Sequence, residues 1–216
     1  MAAPDDEEPR VARLRRVASE VMGTLALDDA RRLESFCALF ATWNVRINLG
    51  GARSFEELVD EHLVDAFAAR SLLVPGDSVV DVGSGGGLPA LPLACLCRDS
   101  SFELWEPRAK RAAFLRTAVR ELELRDRVAV VGRRLEEVPR DVEAPGSTSR
   151  ESGAYSVAMS RATWAPPEWL ARARQLAPGA RVLVFTTQAG LVGLEPPAKV
   201  VSYGPHRRLG VFLPRA

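Results

Sequence analysis

The chain has 216 residues and a mass of 23.5 kDa, room for one substantial domain with a helical extension but not for two large ones. With 47% apolar and 26% charged residues it can bury a core without disulfides or a structural metal, which excludes global disorder. The formal net charge is only +1, so a nucleic-acid partner would have to be met by a local basic patch.

Lys110 and Lys199 are the only lysines. Nearly all positive charge is therefore arginine, suited to bidentate phosphate contacts and equally the product of a coding sequence rich in G and C. Cys37, Cys95 and Cys97 form no tetrahedral metal set with the distant His62 and His206, so no metal is expected. The odd thiol count favours a reduced, cytoplasmic compartment over a secreted disulfide framework. The opening MAAPDDEEPR resembles neither a signal peptide nor a membrane span; residues 1–9 are expected to fray, and no membrane partner is expected.

Apolar Val11, Leu14, Val17, Ala18, Val21 and Leu25 recur at spacings of three and four and predict a helix over 10–27. Asp28 is placed to cap a second helix over 29–49, with Leu33, Phe36, Cys37, Phe40 and Trp43 or Asn44 along one face. Ser54 followed by Glu57 is a capping-box pattern, opening a third helix through Leu58, Val59, His62, Leu63 and Phe67 to Leu72. Pro75-Gly76-Asp77 then punctuates the chain. Beyond it, short apolar runs predict strands at 78–82, 101–106, 127–131, 155–159, 180–186, 199–203 and 208–213, with helices at 89–97, 108–123 and 166–177.

The alternation implies a Rossmann-like α/β fold, a mostly parallel seven-stranded sheet with helices on both faces. Residues 10–76 form its N-terminal helical cap and 77–216 its core. The last two strands are expected as an antiparallel hairpin around Gly204-Pro205, and the Pro-, Gly-, Ser- and Thr-rich stretch 139–153 as a mobile loop.

The first strand runs into Asp81-Val82-Gly83-Ser84-Gly85-Gly86-Gly87-Leu88-Pro89, a loop whose glycines leave room for close approach to its backbone. Open α/β sheets bind ligands at such strand ends, where amides of the following helix face the crevice. The second strand ends in Glu106, about twenty residues after the loop, where a carboxylate can accept both hydroxyls of a ribose or cap the helix beginning near Pro107. Asp81 can attract a ligand ammonium or accept the turn amides. NAD and S-adenosylmethionine both carry an adenosine that this arrangement can hold, so loop plus acid leaves the two open. Gly83-x-Gly85-x-Gly87 resembles the glycine pattern of class I methyltransferases more than the G-x-G-x-x-G favoured by a pyrophosphate. Arg134-Leu135-Glu136-Glu137, after the third strand, is placed to meet an adenine or to cap a solvated helix.

From about residue 14 the sequence resembles the bacterial 16S ribosomal RNA guanine-N7 methyltransferase family, also called glucose-inhibited division protein B. The resemblance is carried by Trp43-Asn44-Val45-Arg46-Ile47-Asn48-Leu49 (W-N-x-x-x-N-L), His62-Leu63-Val64-Asp65 (H-x-x-D) and the glycine loop with Pro92-Leu93-Ala94. Lys110-Arg111-Ala112-Ala113-Phe114-Leu115 (K-R-x-x-F-L), Arg134 to Glu137 (R-x-E-E) and Ser160-Arg161-Ala162 (S-R-A) follow in the family's order. The resemblance implies a Rossmann-like methyltransferase that uses S-adenosyl-L-methionine, releases S-adenosyl-L-homocysteine, and methylates N7 of guanine 527, by ribosomal numbering, in 16S ribosomal RNA or a small-subunit assembly intermediate.

It also implies Asp81, Gly83, Ser84, Gly85, Gly87, Leu88, Glu106, Leu135, Glu136 and Arg161 as cofactor residues. Asn48, Arg161, Trp164 and Arg207 fall on the substrate side, with Arg161 the candidate catalytic residue. Departures cluster on that same side: Thr186 stands where the family has a lysine, Gly50 where it has Thr, and Thr163 where it has Phe. A related enzyme acting on another RNA or a small molecule, or a noncatalytic binding protein, is the alternative.

Guanine N7 already presents a lone pair, so transfer to it needs alignment more than a strong base. The absence of a catalytic triad excludes nothing. Between Arg108 and Glu137 stand nine basic residues against five acidic, a patch able to position an RNA backbone, with Arg10, Arg13, Arg15 and Arg16 as a possible extension. The chain is expected to be a monomer.

Overall fold

The computed structural model describes residues 8–135 and 155–215. The frayed-tail expectation falls mostly, and the 139–153 loop entirely, outside them. Helix α1 (Pro9–Val21) stops earlier than its apolar repeat because Gly23 turns the chain at φ +88°; Leu25 is buried from that turn and not from the helix. Helix α2 (Leu27–Ile47) begins after Ala26, so Asp28 lies in the first turn beside Asp29 and is not the cap. Acids there still complement the helix dipole. Ser54 caps α3 (Phe55–Glu57) by accepting the Glu57 N–H at 3.1 Å. The helix then widens into a π-helical segment, Leu58–Leu63, before α4 (Val64–Arg70).

The remaining elements are β1 (Ser78–Val82), α5 (Ala90–Leu96), β2 (Ser101–Trp105), α6 (Ala109–Glu121), β3 (Val128–Val131), β4 (Val157–Ser160), α7 (Pro166–Leu176), β5 (Arg181–Thr187), β6 (Lys199–Tyr203) and β7 (Arg207–Phe212). They build one mixed α/β sheet in the order β3-β2-β1-β4-β5-β7-β6, with β1 to β5 parallel and β7 antiparallel to both neighbours. Strand β4 starts later than the apolar run suggests. Ser156 just before it is spent on a polar anchor, its hydroxyl donating to Asp77 at 2.6 Å.

Alternation along the strands divides the core between two faces. Val79, Leu104, Met159 and Leu183 pack beneath α1, α2, α4, α5 and α6, so the helices preceding β1 share one apolar core with the sheet. Val80, Val82, Ala158, Val182 and Val184 pack on the opposite side with Trp169, Leu170 and Ala173 of α7. The chain moves outward through β2 and β3 in one direction and through β4 and β5 in the other. The reversal leaves a crevice between the carboxyl ends of β1 and β4, the place where open α/β sheets take ligands. Among the described residues no helix is long and apolar enough to cross a membrane.

At the opposite, amino end of the sheet, Asp77 ties three segments together. It accepts both Arg181 contacts at 2.7 Å, the Ser156 hydroxyl, and the Val74 N–H at 2.7 Å. Burial pushes its carboxyl upward, but these hydrogen bonds and the Arg181 charge outweigh burial and hold it below the ordinary carboxylate value. A carboxyl lowered on folding contributes stability that is complete above its unfolded value and is lost as pH falls through the folded one. Asp77→Ala, which strands Arg181 without its partner, should cost on the order of 3 kcal/mol and flatten the acid limb of the stability curve, read by urea denaturation at pH 7 and pH 4.

Candidate functional site

The glycine loop leaves β1 by a backbone that only a small residue tolerates. Gly83 has φ +77°, and a Cβ there would stand 2.5 Å from Oγ1 of Thr163. A Cβ on Gly86 would meet the Phe40 ring at 2.8 Å and the Leu49 carbonyl at 3.1 Å, so the end of α2 and its following loop lie directly on the glycine loop. Ser84 donates to the Asp81 carbonyl at 2.9 Å and closes the turn. Leu88 packs against the helical core.

Glu106 organises the loop from β2. Its two carboxylate oxygens accept the Gly85 N–H at 2.9 Å and the Arg108 N–H at 2.8 Å, and the residue is only 3% exposed. Of the two readings of this acid, the structure shows the local one: the carboxylate ties the glycine loop to the approach to α6.

Asp81 is 1% exposed, and its Oδ2 has no hydrogen-bond partner. Burial, with Glu106 adding to it, raises its carboxyl to about 7, against the opposing influence of Ser84 and Arg161. A buried oxygen in this position is matched by a cationic or hydrogen-donating ligand group. The ammonium of a bound amino-acid moiety fits that requirement.

The exit of β4 closes the other wall. Ser160 donates to the Val82 carbonyl at 2.7 Å, bridging β4 to β1. Arg161 Nε contacts Asp65 Oδ2 at 2.6 Å, and its Nη2 donates to His62 Nδ1 at 2.8 Å. Burial first, and then the Arg161 charge, lower the His62 pKa, consistent with a neutral ring accepting from the guanidinium. Asp65 is saturated: its Oδ1 also accepts from the Tyr203 hydroxyl at 2.8 Å and Arg207 Nη1 at 3.2 Å. Ala162 follows at φ +57°, a left-handed conformation that costs a residue with a Cβ roughly 1 kcal/mol. That turn sends Arg161 toward α4 while Thr163 covers Gly83.

These contacts gather Asp81, Gly83, Ser84, Gly85, Gly87, Glu106 and Arg161 at one end of the sheet, with Arg207 joined to them through Asp65. Asn48, left-handed at φ 51°, adjoins the loop because Arg111 donates to its carbonyl at 3.1 Å. Leu135 packs instead on the α7 side, and Trp164 stacks on Trp169 at 5.7 Å with Arg172 over its ring. The ring is half-buried, with part of its aromatic surface engaged by these contacts. Glu136 lies outside the described residues.

Two residues of the W-N-x-x-x-N-L and H-x-x-D patterns also build the site. Asn44 accepts the Leu49 and Gly50 N–H groups at 2.7 and 3.0 Å and donates to the Ala52 carbonyl at 2.9 Å, so it shapes the loop that bears on Gly86. Asp65 clamps Arg161. An acid one turn from His62 on an otherwise apolar helix face was the available signal, since a buried carboxylate demands a partner.

A seven-stranded sheet of this order, with a glycine loop and acids at the ends of β1 and β2, defines a class I methyltransferase-like α/β fold. Solved structures bear this out: the fold is similar to an RNA methyltransferase from Salinibacter ruber in complex with S-adenosyl-L-homocysteine, at 18% identity and TM-score 0.51 over 70% of this chain and 92% of that one. It is also similar to the O-methyltransferase TomG from Streptomyces achromogenes in complex with S-adenosylmethionine, at 17% identity and TM-score 0.55 over 83% and 90%. The family model for rRNA small subunit methyltransferase G (GidB) matches residues 29–187, and the chain belongs to that family.

Curated relatives carrying the name ribosomal RNA small subunit methyltransferase G agree. The protein of Anaeromyxobacter dehalogenans is 35% identical over 82% of this chain and 79% of its own length. Matches to those of Kineococcus radiotolerans and Wolinella succinogenes, 39% and 43% identical, cover 62% and 53% of this chain and only 53% and 57% of theirs.

Because the Asp81 carboxyl is raised on folding, the native state holds its proton more tightly than the unfolded chain, and stability falls as pH rises from about 4 to 7. Asp81→Asn removes that penalty. It should stabilise the ligand-free protein above pH 7 by up to about 4 kcal/mol, at about 1.4 kcal/mol per pH unit, and leave stability near pH 4 almost unchanged. Thermal denaturation of both proteins at pH 4.5 and pH 8 measures the difference.

Proposed function

We propose that this protein transfers a methyl group from S-adenosyl-L-methionine to N7 of a guanine in 16S ribosomal RNA, at guanine 527 by ribosomal numbering, with an assembly intermediate of the small subunit as the working substrate. The observation that carries the reading is the unpartnered, buried Asp81 oxygen beside the glycine loop, in a chain that belongs to a family of small-subunit rRNA methyltransferases.

In this reading Asp81 receives the ammonium of the methionine end, the Gly83–Gly87 backbone admits the chain of the cofactor, and Glu106 accepts ribose hydroxyls. The bound cofactor supplies an electrophilic methyl group on a sulfonium. N7 brings its own electron pair, so the protein needs to orient and desolvate and need not remove a proton. Arg161, held by Asp65 and His62, presents a fixed positive edge at the β4 exit toward the target base or its phosphate. Arg207 is tied to the same Asp65, and Asn48, beside the glycine loop, completes the substrate side in this reading. Trp164, stacked internally, is not needed for this role.

Purified protein and methyl-labelled cofactor, offered small subunits and free 16S RNA lacking the modification, test the proposal. Label is expected at N7 of a single guanine; transfer only to a small metabolite, or no cofactor uptake, overturns it. Glu106→Ala should weaken cofactor binding at least tenfold by calorimetry, the cost of about 1.4 kcal/mol or more for lost charged hydrogen bonds. Arg161→Ala should slow transfer at least tenfold with cofactor affinity within twofold of the parent; equal transfer rates would remove Arg161 from the substrate side.

A further inference from the structure

The sequence offers several arginine-rich stretches, and the fold pairs many of their cations with acids. On α1, Arg10 pairs with Glu34, Arg13 with Asp60, and Arg16 with Glu20. At the far end of α6, Arg120 pairs with Glu121, and on α7 Arg172 and Arg174 pair with Glu168 and Glu195. These cations have acids to satisfy them and present little net charge to a partner.

The junction between the last turn of α2 and the first turn of α6 differs. A cavity of about 330 Å³ opens there, lined by Ile47, Asn48, Arg108, Ala109, Lys110 and Arg111. Arg46, Arg108 and Lys110 are exposed, and none of Arg46, Arg108, Lys110 and Arg111 forms an ion pair with an acid among the described residues. Arg111 alone is engaged, donating to the Asn48 carbonyl. The first turn of α6 contains no acid, and the nearest carboxylate, Glu106, is spent on the backbone N–H groups of Gly85 and Arg108. Three cations at the amino end of a helix oppose its dipole, an arrangement that local stability disfavours and an anion would reverse.

The cleft adjoins the candidate site. Arg111 Nη1 is 3.8 Å from the position a Gly85 Cβ would take, and the Arg108 N–H is held by Glu106. An anion seated here lies at the lip of the glycine loop.

We infer that the cleft between α2 and α6 binds the phosphate backbone of the RNA substrate, with Arg108 and Lys110 as its principal phosphate contacts and Arg46 extending the track. The inference rests on the reading of the protein as an RNA methyltransferase and assigns the surface on which that RNA lies. An isolated anion needs one or two cations; an exposed strip of uncompensated charge along the end of a helix and its neighbour suits a polymer with repeated phosphates.

The test compares Arg108→Gln/Lys110→Gln with Arg10→Gln/Arg16→Gln in the full chain, measuring binding of a small-subunit RNA fragment by fluorescence anisotropy from 50 to 300 mM KCl. Removing two phosphate contacts should weaken RNA binding about tenfold or more at low salt and shallow the log Kd against log salt slope by about 1.4 to 1.8. The α1 variant should match the parent, and calorimetric cofactor affinity should stay within twofold in both.

An unchanged slope in the cleft variant, an equal loss in the α1 variant, or a loss of cofactor affinity in place of RNA affinity overturns the inference. If the parent fails to methylate RNA yet the slope change appears, the catalytic reading fails and the cleft stands. If the parent methylates RNA and the cleft variant binds it normally, the cleft fails and the catalytic reading stands.

Discussion

Burying a carboxyl without a full set of partners is the constraint around which this end of the molecule is arranged. Asp81 and Glu106 terminate adjacent parallel strands, and both are removed from water. Glu106 is compensated by two backbone N–H groups, and that compensation is also what folds the glycine loop over β2. Asp81 is left one oxygen short. The ligand-free protein thus carries a desolvation cost at the point where a cation would remove it, and the costly group sits at the reversal of strand order where the sheet has space for a ligand.

The helices before β1 act as part of this site and not as a detached cap. Asn44 fixes the loop that presses on Gly86, while α4 supplies Asp65 and its preceding π-helical segment supplies His62. A π segment carries more residues per turn than an α-helix and so resets which side chains face the neighbouring sheet. Asp65 thereby meets β4 through Arg161, β7 through Arg207 and β6 through Tyr203. Fixing Arg161 from two sides restricts a long side chain that would otherwise sample several rotatable bonds. The left-handed Ala162 beside it is the local strain that this geometry tolerates.

Charge in this protein is best counted after folding. Near-neutral overall balance conceals an uneven surface, because acids on the same helix or a neighbouring one pair with cations of α1 and α7 while those at the α2–α6 junction pair with none among the described residues. Thr186, where the family resemblance calls for a lysine, illustrates the same point: its hydroxyl packs against Gly190, and Arg208 lies across the ladder from it. A positive group beside that end of β5 is carried by the neighbouring strand.

The amino-acid sequence by itself determined the mixed α/β class, all seven strands to within two residues at either end, the glycine loop, and the acid at the end of β2. Each is encoded locally: period-two and period-3.6 apolar repeats, glycines at a strand exit, and a carboxylate at a fixed spacing. Tertiary structure alone decided that Arg161 is gripped by His62, 99 positions away, that Thr163 covers Gly83, that Trp164 is spent on Trp169, and which arginines keep their charge uncompensated. Such pairings arise where distant elements pack, and no periodicity along the chain records which side chains will then face one another.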